Sequence, residues 1–286
     1  MAGAGRPDEE TISMGKLIIT GAAGGMGRAC ARLLGAAHSL ILTDVAAGPL
    51  DAFAAELRRE GIDVVGTFAG DLGDAGVLAG LTGALDDGAP FALVHTAGLS
   101  PSMADARTIM DVNLVATAKL LAALEPRLAP GSAAVLIASM AGYSAPAIEA
   151  VDALMADPLA PGFLDAITGA MEAMLGQASP MASGMSYAFS KRGVLRIVER
   201  LAPGWGARGG RITSISPGTI ATPMGQLELD SNPQVGQILR STPAGREGRA
   251  MDIAFAARFL LGAEASFITG CDLRVDGGAM ALAHSA

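Results

Sequence analysis

A glycine-rich turn near the start of the chain stands between an apolar run and a helical pattern. The run covers residues 17–19, the turn covers 20–27, and apolar residues recur at helical spacing over 28–34. Glycines let a backbone approach a pyrophosphate closely, and the N-terminus of the next helix supplies N–H donors and a positive dipole end. This context predicts a dinucleotide-binding site. The turn residues expected to contact the dinucleotide are Gly21, Gly24, Gly25, Met26 and Gly27.

The same alternation of short apolar runs and helical stretches continues along the chain. It predicts buried parallel strands with helices on both faces of the sheet. Expected strands cover 16–20, 39–44, 63–67, 91–95, 133–139, 211–216 and 272–275. Expected helices cover 25–34, 50–60, 74–85, 104–124, about 187–201, and 252–261. The prediction is an α/β fold of the Rossmann type, a doubly wound parallel sheet of about seven strands. We expect one such domain at 15–286, after a flexible tail at 1–14.

Composition excludes several classes of protein. Of the 286 residues, 51% are hydrophobic and 17% are charged, which excludes a disordered chain. The net charge of −8 argues against nucleic acid and membrane surfaces as partners, because both attract cationic proteins. The first fourteen residues are charged and lack the apolar core of a secretion signal. We therefore expect a cytoplasmic protein.

Cysteine and histidine residues are few and scattered. Cys30 and Cys271 have no second ligand at metal-binding spacing, so we expect both to be reduced and buried. His38, His95 and His284 also lie far apart, which argues for structural or surface roles and against a metal site.

Tyr187 and Lys191 stand four residues apart in a helical pattern. Side chains at this spacing share one helix face, so the ammonium group can lie beside the phenol and favour its ionised form. A phenol activated in this way can act as an acid or base near neutral pH. Taken alone, the spacing also fits an aromatic residue and a charge on the rim of an amphipathic helix. The glycine turn in the same chain favours hydride-transfer chemistry.

Asp44 is expected to set the choice of coenzyme. It ends the second predicted strand, where an acidic side chain hydrogen-bonds the adenosine ribose and repels a 2′-phosphate. No cation for such a phosphate occurs among Ala22, Ala23, Thr43 and Val45. The sequence therefore favours NAD over NADP, with a helix cap or turn as the alternative role of Asp44.

Several motifs in succession resemble those of the short-chain dehydrogenase/reductase family, from about residue 16 to residue 278. The glycine turn fits the Thr-Gly-x-x-x-Gly-x-Gly of this family, although Gly21, Gly24 and Gly27 also fit its extended branch. The chain length and the later motifs favour the shorter, alcohol-oxidising branch. These motifs are Asp71-Leu72, His95-Thr96-Ala97-Gly98, Asn113, Ser139, Tyr187 with Lys191, Pro217-Gly218 with Thr222, and Asp276-Gly277-Gly278.

The resemblance implies a role for each matched residue. Tyr187 would be the general acid/base that takes the alcohol proton, and Lys191 would lower the pKa of Tyr187 and hold the nicotinamide ribose. Ser139 would hydrogen-bond the substrate oxygen, and Asn113 would position a water in the proton relay. Asp71 would accept from the adenine amine. The expected coenzyme contacts after the glycine turn and Asp44 are Asp71, Leu72, Ala97, Gly98, Tyr187, Lys191, Pro217, Gly218, Ile220 and Thr222.

Two features depart from the family pattern. His95-Thr96 stands where the family usually has two asparagines, which changes the hydrogen bonds available there. Ser139 and Tyr187 are 48 positions apart, which indicates a helical insertion at about 143–183. Within it, 145–156 and 162–175 read as short helices. Because both ends leave catalytic segments, we expect 162–175 to cover the substrate cleft as an apolar wall. The alternative is a packing appendage or a subunit contact.

These observations predict an NAD-dependent oxidoreductase that interconverts a secondary alcohol and a ketone. The apolar insertion and the methionine in the loop after Pro217 suggest a hydrophobic substrate, alicyclic or steroid-like. We also expect a homo-oligomer, either a dimer or a tetramer. One alternative is an epimerase or dehydratase on the same scaffold, which would give no net reduction of NAD. The other is a non-catalytic NAD-binding sensor, which would have no need of the set Asn113, Ser139, Tyr187 and Lys191.

Overall fold

A seven-stranded parallel sheet forms the centre of the protein. The computed structural model describes residues 15–176, 179 and 181–283. The strands, numbered along the chain, are β1 Lys16–Thr20, β2 Ser39–Asp44, β3 Val64–Ala69, β4 Phe91–His95, β5 Ala133–Ile137, β6 Arg211–Pro217 and, as a later strand, β9 Asp272–Val275. Their order in the sheet is β3-β2-β1-β4-β5-β6-β9, and all neighbours are parallel. This confirms the predicted Rossmann-type fold, and the four strands β1, β2, β4 and β9 have the predicted bounds.

Helices cover both faces of the sheet because every buried strand directs alternate side chains to opposite sides. Leu17 and Ile19 face one apolar layer, whereas Ile18 between them faces the other. The helices before the insertion are α1 Gly25–Leu34, α2 Ala47–Arg59, α3 Ala75–Gly83, α4 Ala106–Met110 and α5 Ala116–Leu124. Those after it are α9 Ala182–Ala207, α10 Pro223–Ser231, α11 Pro233–Ser241, α12 Ala250–Leu261 and α13 Ala279–Ala283.

The single helix expected at 104–124 is interrupted. A π-helical turn at Asp111–Val115 separates α4 from α5 and contains Asn113. Asp105 caps the start of α4, since its carboxylate accepts a hydrogen bond from the Thr108 N–H at 2.8 Å. The wider turn changes the direction of the side chains that follow, which apolar periodicity alone does not reveal.

The helix that carries Tyr187 is longer than expected at both ends. It begins at Ala182, where the hydroxyl of Ser183 donates to the carbonyl of Ala104 at 3.0 Å and Ser186 donates to the carbonyl of Ala106. These bonds attach its first turns to the start of α4. It also continues past Pro203 to Ala207.

The insertion forms three helices, α6 Ala141–Ser144, α7 Glu149–Met155 and α8 Phe163–Leu175. Its side chains Val151, Met155, Phe163, Ile167 and Met171 are all buried and join the apolar layer that contains α9. The helix α8 contacts α4 and α9. No described residue between 145 and 183 lines the cleft above the sheet, so the expected apolar wall at 162–175 is wrong in placement.

The segment that covers the cleft lies after β6. The helices α10 and α11 contain no buried residue, and neither was predicted. Two short strands, β7 Ile220–Ala221 and β8 Gly248–Arg249, pair in parallel and hold the two ends of this segment together.

Cys30 is buried as expected, but Cys271 is exposed. Cys271 immediately precedes β9, the strand at one edge of the sheet, where less structure covers the chain. Neither cysteine is in a disulfide. His284 and the tail at 1–14 lie outside the described residues. In the part of the chain that is described, no helix combines the length and apolarity needed to cross a bilayer.

Candidate active site

The predicted dinucleotide turn lies at the carboxyl edge of the sheet between β1 and β4, where the strand order reverses. Gly21 has φ +61°, and a Cβ placed on it would lie 2.8 Å from the backbone nitrogen of Ala97. A Cβ on Gly27 would lie 2.2 Å from the Gly21 carbonyl oxygen. The turn therefore requires glycine at both positions. This is the tight backbone path that a dinucleotide pyrophosphate needs.

The opposite side of the turn faces the loop after β6. A Cβ on Gly25 would lie 2.6 Å from the methyl carbon of Thr222, so the two segments are in close contact. Thr222 begins α10, and its hydroxyl accepts from the Gly225 N–H at 3.1 Å. The N-terminus of α1 has Gly24 as its cap, without a capping side chain. Its N–H groups thus fit a bound phosphate.

The two aspartates that are predicted to contact the coenzyme, Asp44 and Asp71, accept hydrogen bonds from backbone N–H groups of nearby turns. Asp44 accepts from the Ala23 N–H at 3.0 Å and from the Ala46 N–H at 3.2 Å. Asp71 accepts from the Gly73 N–H at 2.7 Å, and the next residue, Leu72, is buried in the core. Asp44 thus links the end of β2 directly to the glycine turn.

A cleft of about 570 Å³ lies above the carboxyl ends of β4, β5 and β6. Nine of the predicted site residues line it, and so does much of the segment from α10 to α11. The predicted residues in its wall are Met26, Gly98, Ser139, Tyr187, Lys191, Pro217, Gly218, Ile220 and Thr222. The turn glycines, Asp44, Asp71, Leu72, Ala97 and Asn113 lie outside this wall.

Tyr187 and Ser139 meet in the cleft. The Ser139 oxygen accepts a hydrogen bond from the Ala141 N–H at 3.1 Å, which leaves its own proton available. Burial raises the pKa of Tyr187, the hydrogen bond with Ser139 opposes this rise, and the charge of Glu228 adds to it. The Ser139 hydroxyl is thus placed to donate to an oxygen at the position of the phenol.

Lys191 lies close to the ring of Tyr187. Its ammonium nitrogen is 5.8 Å from the centre of the Tyr187 ring and donates to the Ile137 carbonyl at 2.9 Å. Burial lowers the pKa of Lys191 to about 8. Burial is the largest cause of the raised pKa of Tyr187, and the lowering of that pKa by Lys191 stays a prediction.

Asn113 joins the π-helical turn to the loop after β4 and to α9. Its amide oxygen accepts from the Leu99 N–H at 2.7 Å, and its amide nitrogen donates to the Leu99 carbonyl at 3.0 Å and to the Ser190 hydroxyl at 3.2 Å. A Cβ on Gly98 would lie 3.1 Å from the Asn113 amide oxygen and 3.4 Å from the Lys191 nitrogen. Glycine at position 98 therefore allows these two side chains to approach the same stretch of backbone.

His95, which stands where the family usually has an asparagine, forms part of a buried chain of hydrogen bonds. The sequence did not predict this chain. His95 Nδ1 lies 2.7 Å from the Thr20 hydroxyl, and Nε2 lies 2.7 Å from the Thr117 hydroxyl. Thr117 donates to the Asn113 carbonyl at 2.8 Å, so Nε2 carries the proton and Nδ1 accepts. Burial and the charge of Lys191 lower the pKa of His95 to about 3, which keeps it neutral. The imidazole thus connects β1 and β4 to the turn that holds Asn113.

The end of β6 is fixed against the Ser139 loop by backbone hydrogen bonds. The Met140 N–H donates to the Pro217 carbonyl at 3.0 Å, and the Ala138 N–H donates to the Ile215 carbonyl at 2.8 Å. A Cβ on Gly218 would lie 2.8 Å from the Asp276 Cα. This holds the predicted carboxamide-binding segment beside the predicted catalytic serine.

Comparison with known proteins identifies the family of this chain. The short chain dehydrogenase family model matches residues 16–151, and a model described as enoyl-(acyl carrier protein) reductase matches residues 169–280. A short-chain dehydrogenase/reductase of Alternaria brassicicola is 34% identical over 275 residues, which cover 94% of this chain and 97% of the relative. The chain belongs to the short-chain dehydrogenase/reductase family and is an oxidoreductase of that family.

Two further relatives carry names that describe their reactions. The 3-alpha-hydroxysteroid dehydrogenase/carbonyl reductase of Comamonas testosteroni is 29% identical over 272 residues, which cover 93% of this chain and 96% of that protein. The structure of the 3-alpha-hydroxysteroid dehydrogenase of Pseudomonas sp. B-0831 with NADH has a TM-score of 0.72 at 28% identity. It covers 94% of this chain and 98% of that one.

Proposed function

We propose that this protein is an NAD-dependent dehydrogenase that interconverts a hydrophobic secondary alcohol and its ketone. The observation that carries the proposal is the convergence of Ser139, Tyr187 and Lys191 in one cleft beside the glycine turn. The three groups supply a hydroxyl donor, a phenol and a cation at the mouth of a site that fits a dinucleotide.

In the proposed reaction the nicotinamide coenzyme, when bound, accepts or returns the hydride. In the oxidation direction the ionised phenol of Tyr187 takes the proton of the alcohol hydroxyl, and in the reduction direction the neutral phenol gives its proton to the ketone oxygen. Ser139 accepts from the Ala141 N–H and would donate its own proton to the substrate oxygen in place of the phenol. Lys191 holds a positive charge beneath the phenol, and Asn113 fixes the loop that carries Gly98. The roles of Tyr187 and Ser139 are those that the family resemblance implies. For Lys191 the resemblance adds contact with the nicotinamide ribose and a lower pKa of Tyr187, and for Asn113 it adds a water in the proton relay.

NAD is the proposed coenzyme. Asp44 lies at the end of β2 next to the turn, where its carboxylate would meet the adenosine ribose and repel a 2′-phosphate. The relative from Pseudomonas that was solved with NADH supports this choice. Replacement Asp44→Ala should shift the ratio of kcat/KM towards NADP. Equal use of the two coenzymes by the parent protein would contradict the proposal.

The proposed substrate is neutral at its reacting end, apolar and cyclic, of alicyclic or steroid-like shape. The outer wall of the cleft supports this class because it is largely apolar, with Leu99, Met140, Met224, Val235, Ile238 and Met280 among its residues. Two relatives named for hydroxysteroid oxidation point to the same class. Methionine side chains adapt to such shapes.

The decisive test is NAD reduction across a panel of hydrophobic secondary alcohols, followed at the absorbance of NADH. The variant Tyr187→Phe keeps the ring and removes the oxygen, so turnover should fall at least ~10²-fold with little change in NAD affinity. Turnover close to that of the parent would refute the mechanism. Substrate conversion without any net reduction of NAD would favour the epimerase or dehydratase alternative.

We also propose that the protein acts as a homo-oligomer. Met251, Phe255 and Phe259 form an exposed stripe at helical spacing on α12. Leu273 is exposed on β9, the edge strand of the sheet, and Phe267 between the two elements is fully exposed. Exposed large apolar side chains on a helix and on the edge strand of a sheet are typical of a subunit contact. Light scattering of the parent and of Phe259→Arg tests this, because the variant should dissociate.

A further inference from the structure

The outer half of the cleft carries a single acidic side chain. Among the described residues that line the cleft, Lys191 and Glu228 are the two charged ones. Lys191 is buried at the base and donates to the Ile137 carbonyl. Glu228 projects from α10 on the opposite, outer side, among apolar residues such as Met224 and Val235. Any substrate that enters beneath α10 therefore passes close to a carboxylate.

Glu228 is fixed by the loop after β4. Its Oε1 accepts hydrogen bonds from the Ser102 N–H at 3.2 Å and from the Ser102 hydroxyl. The Ser102 hydroxyl also lies 3.3 Å from that of Ser100, which is buried in the wall of the cleft. Within the described residues, no donor is bonded to Oε2. The carboxylate is thus held in place by one oxygen, and the other is free to act on a ligand.

A second observation shows that the charge of Glu228 acts inside the cleft. Its electrostatic influence adds to the rise in the pKa of Tyr187, in the same direction as burial. A negative charge that acts at the phenol acts also on a ligand placed between the two groups, because the apolar walls screen it less than bulk water does.

On the basis of the proposed function, we propose that Glu228 is a specificity-determining residue that excludes substrates with a carboxylate or other anionic group near the outer end of the cleft. An anion there would face Glu228 at short range with no described cation beside it. Lys191 does not compensate, since its ammonium group is buried below the reacting position. The substrate class thereby narrows to hydrophobic alcohols and ketones that are neutral throughout.

The test uses two ketones of the same size, 4-oxocyclohexanecarboxylate and 4-oxocyclohexanecarboxamide. We expect the parent with NADH to prefer the neutral amide in kcat/KM. The variant Glu228→Gln keeps the shape and the contact with Ser102 but removes the charge. It should reduce the preference for the amide by at least about tenfold, because one charge at about 12 Å already has an effect of that size at an effective dielectric constant near 20, and a closer charge has a larger one.

A control for net charge lies two residues away on the same helix. Asp230 is exposed, bonds to Gln226 at 2.8 Å and does not line the cleft. Asp230→Asn removes the same unit of charge and should leave the preference unchanged. Ser102→Ala removes one hydrogen bond and keeps the carboxylate, so the preference should persist. Unchanged selectivity in Glu228→Gln, or an equal change in Asp230→Asn, would overturn the proposal.

Equilibrium binding of the same two ketones separates this proposal from the proposed function. Titration calorimetry in the presence of NAD, which has no hydride to give to a ketone, measures the ratio of the two dissociation constants without turnover. If neither ketone nor any other alcohol or ketone is turned over, the proposed function fails. If 4-oxocyclohexanecarboxylate binds the parent as tightly as 4-oxocyclohexanecarboxamide does, Glu228 does not exclude anionic substrates. This outcome would overturn the proposal for Glu228 even if the dehydrogenase reaction is observed.

Discussion

The insertion after Ser139 and the segment from α10 to α11 are both helical additions outside the sheet, yet they relate to the core in opposite ways. In the insertion, Val151, Met155, Phe163, Ile167 and Met171 are between 0% and 4% exposed. In α10 and α11 no residue is buried, and the apolar side chains Val235 and Ile238 line the cleft. One region extends the core, and the other provides a cover for the site.

The difference shows what buried apolar area does in each region. Burial of several large apolar side chains stabilises a helix in one position. The helix can move only if these side chains become exposed to water, which costs free energy. A helix that buries none is held at its ends, here by the β7 and β8 pair, and leaves its apolar face for a ligand. We therefore expect the insertion to stabilise the helix of Tyr187, against which it packs, and we propose that α10 and α11 select the molecules that reach Tyr187.

The largest expected effect concerns the core of the insertion. Ile167 is fully buried, so Ile167→Ala should lower the free energy of unfolding by about 2–5 kcal/mol, because it removes apolar contacts and leaves a cavity. Denaturant titration measures this change. Met174 on the same helix is 39% exposed, and Met174→Ala should stay within about 0.5 kcal/mol of the parent.

The same pair of variants tests whether the insertion is separate from the substrate site. At a temperature where Ile167→Ala remains folded, its KM for bulky apolar alcohols should equal that of the parent. A raised KM with unchanged stability would show that α8 contacts the substrate after all, and would restore the wall that the sequence suggested.

The sequence predicts the sheet well because its signals are local. The runs at 16–20, 39–44 and 91–95 match the observed strands, since a strand buried on both faces is largely apolar. The glycine turn is equally local, because a Cβ at Gly21 or Gly27 would collide with nearby backbone. The spacing of Tyr187 and Lys191 depends only on the period of a helix.

The features that were missed depend on partners distant in the chain. The direction in which α8 packs is set by α4 and α9, and its apolar stripe is equally compatible with a cleft or a core. His95 bonds with Thr20 and Thr117, which lie 75 and 22 residues away. The stripe Val235, Ile238 and Leu239 was a usable signal for α11.

An effect of intermediate size is expected for a substitution in α11, which covers the cleft. Ile238 is 40% exposed and lines the cleft, so Ile238→Ala should leave the free energy of unfolding within about 0.5 kcal/mol of the parent. It should raise KM for bulky apolar alcohols up to about tenfold, equivalent to about 1.4 kcal/mol of lost contact. NAD affinity serves as the internal control and should not change. A strongly destabilised variant with normal KM would reverse the roles assigned to the two regions.

The smallest effect concerns the polar anchor of the insertion. Both guanidinium nitrogens Nε and Nη2 of Arg192 on α9 donate to the Asp152 carboxylate at 2.8 Å, and the hydrogen bond and charge of Arg192 lower the pKa of Asp152. Because the pair is partly buried and bidentate, Asp152→Asn should cost about 1 kcal/mol near neutral pH. The exposed pair of Arg107 with Asp165 provides the control, and Asp165→Asn should cost close to nothing.

The pH dependence of that difference has a definite sign. A carboxyl whose pKa is lowered by folding contributes stability above its unfolded pKa of about 3.9, and the contribution disappears as pH falls through the lowered pKa of the folded state. The gap in unfolding free energy between the parent and Asp152→Asn should therefore be constant from pH 7 to about pH 5 and close below about pH 4. Denaturant titrations across this range measure it. A gap that persisted at about pH 2 would mean that the aspartate acts through packing, and the insertion would then be held by its apolar contacts alone.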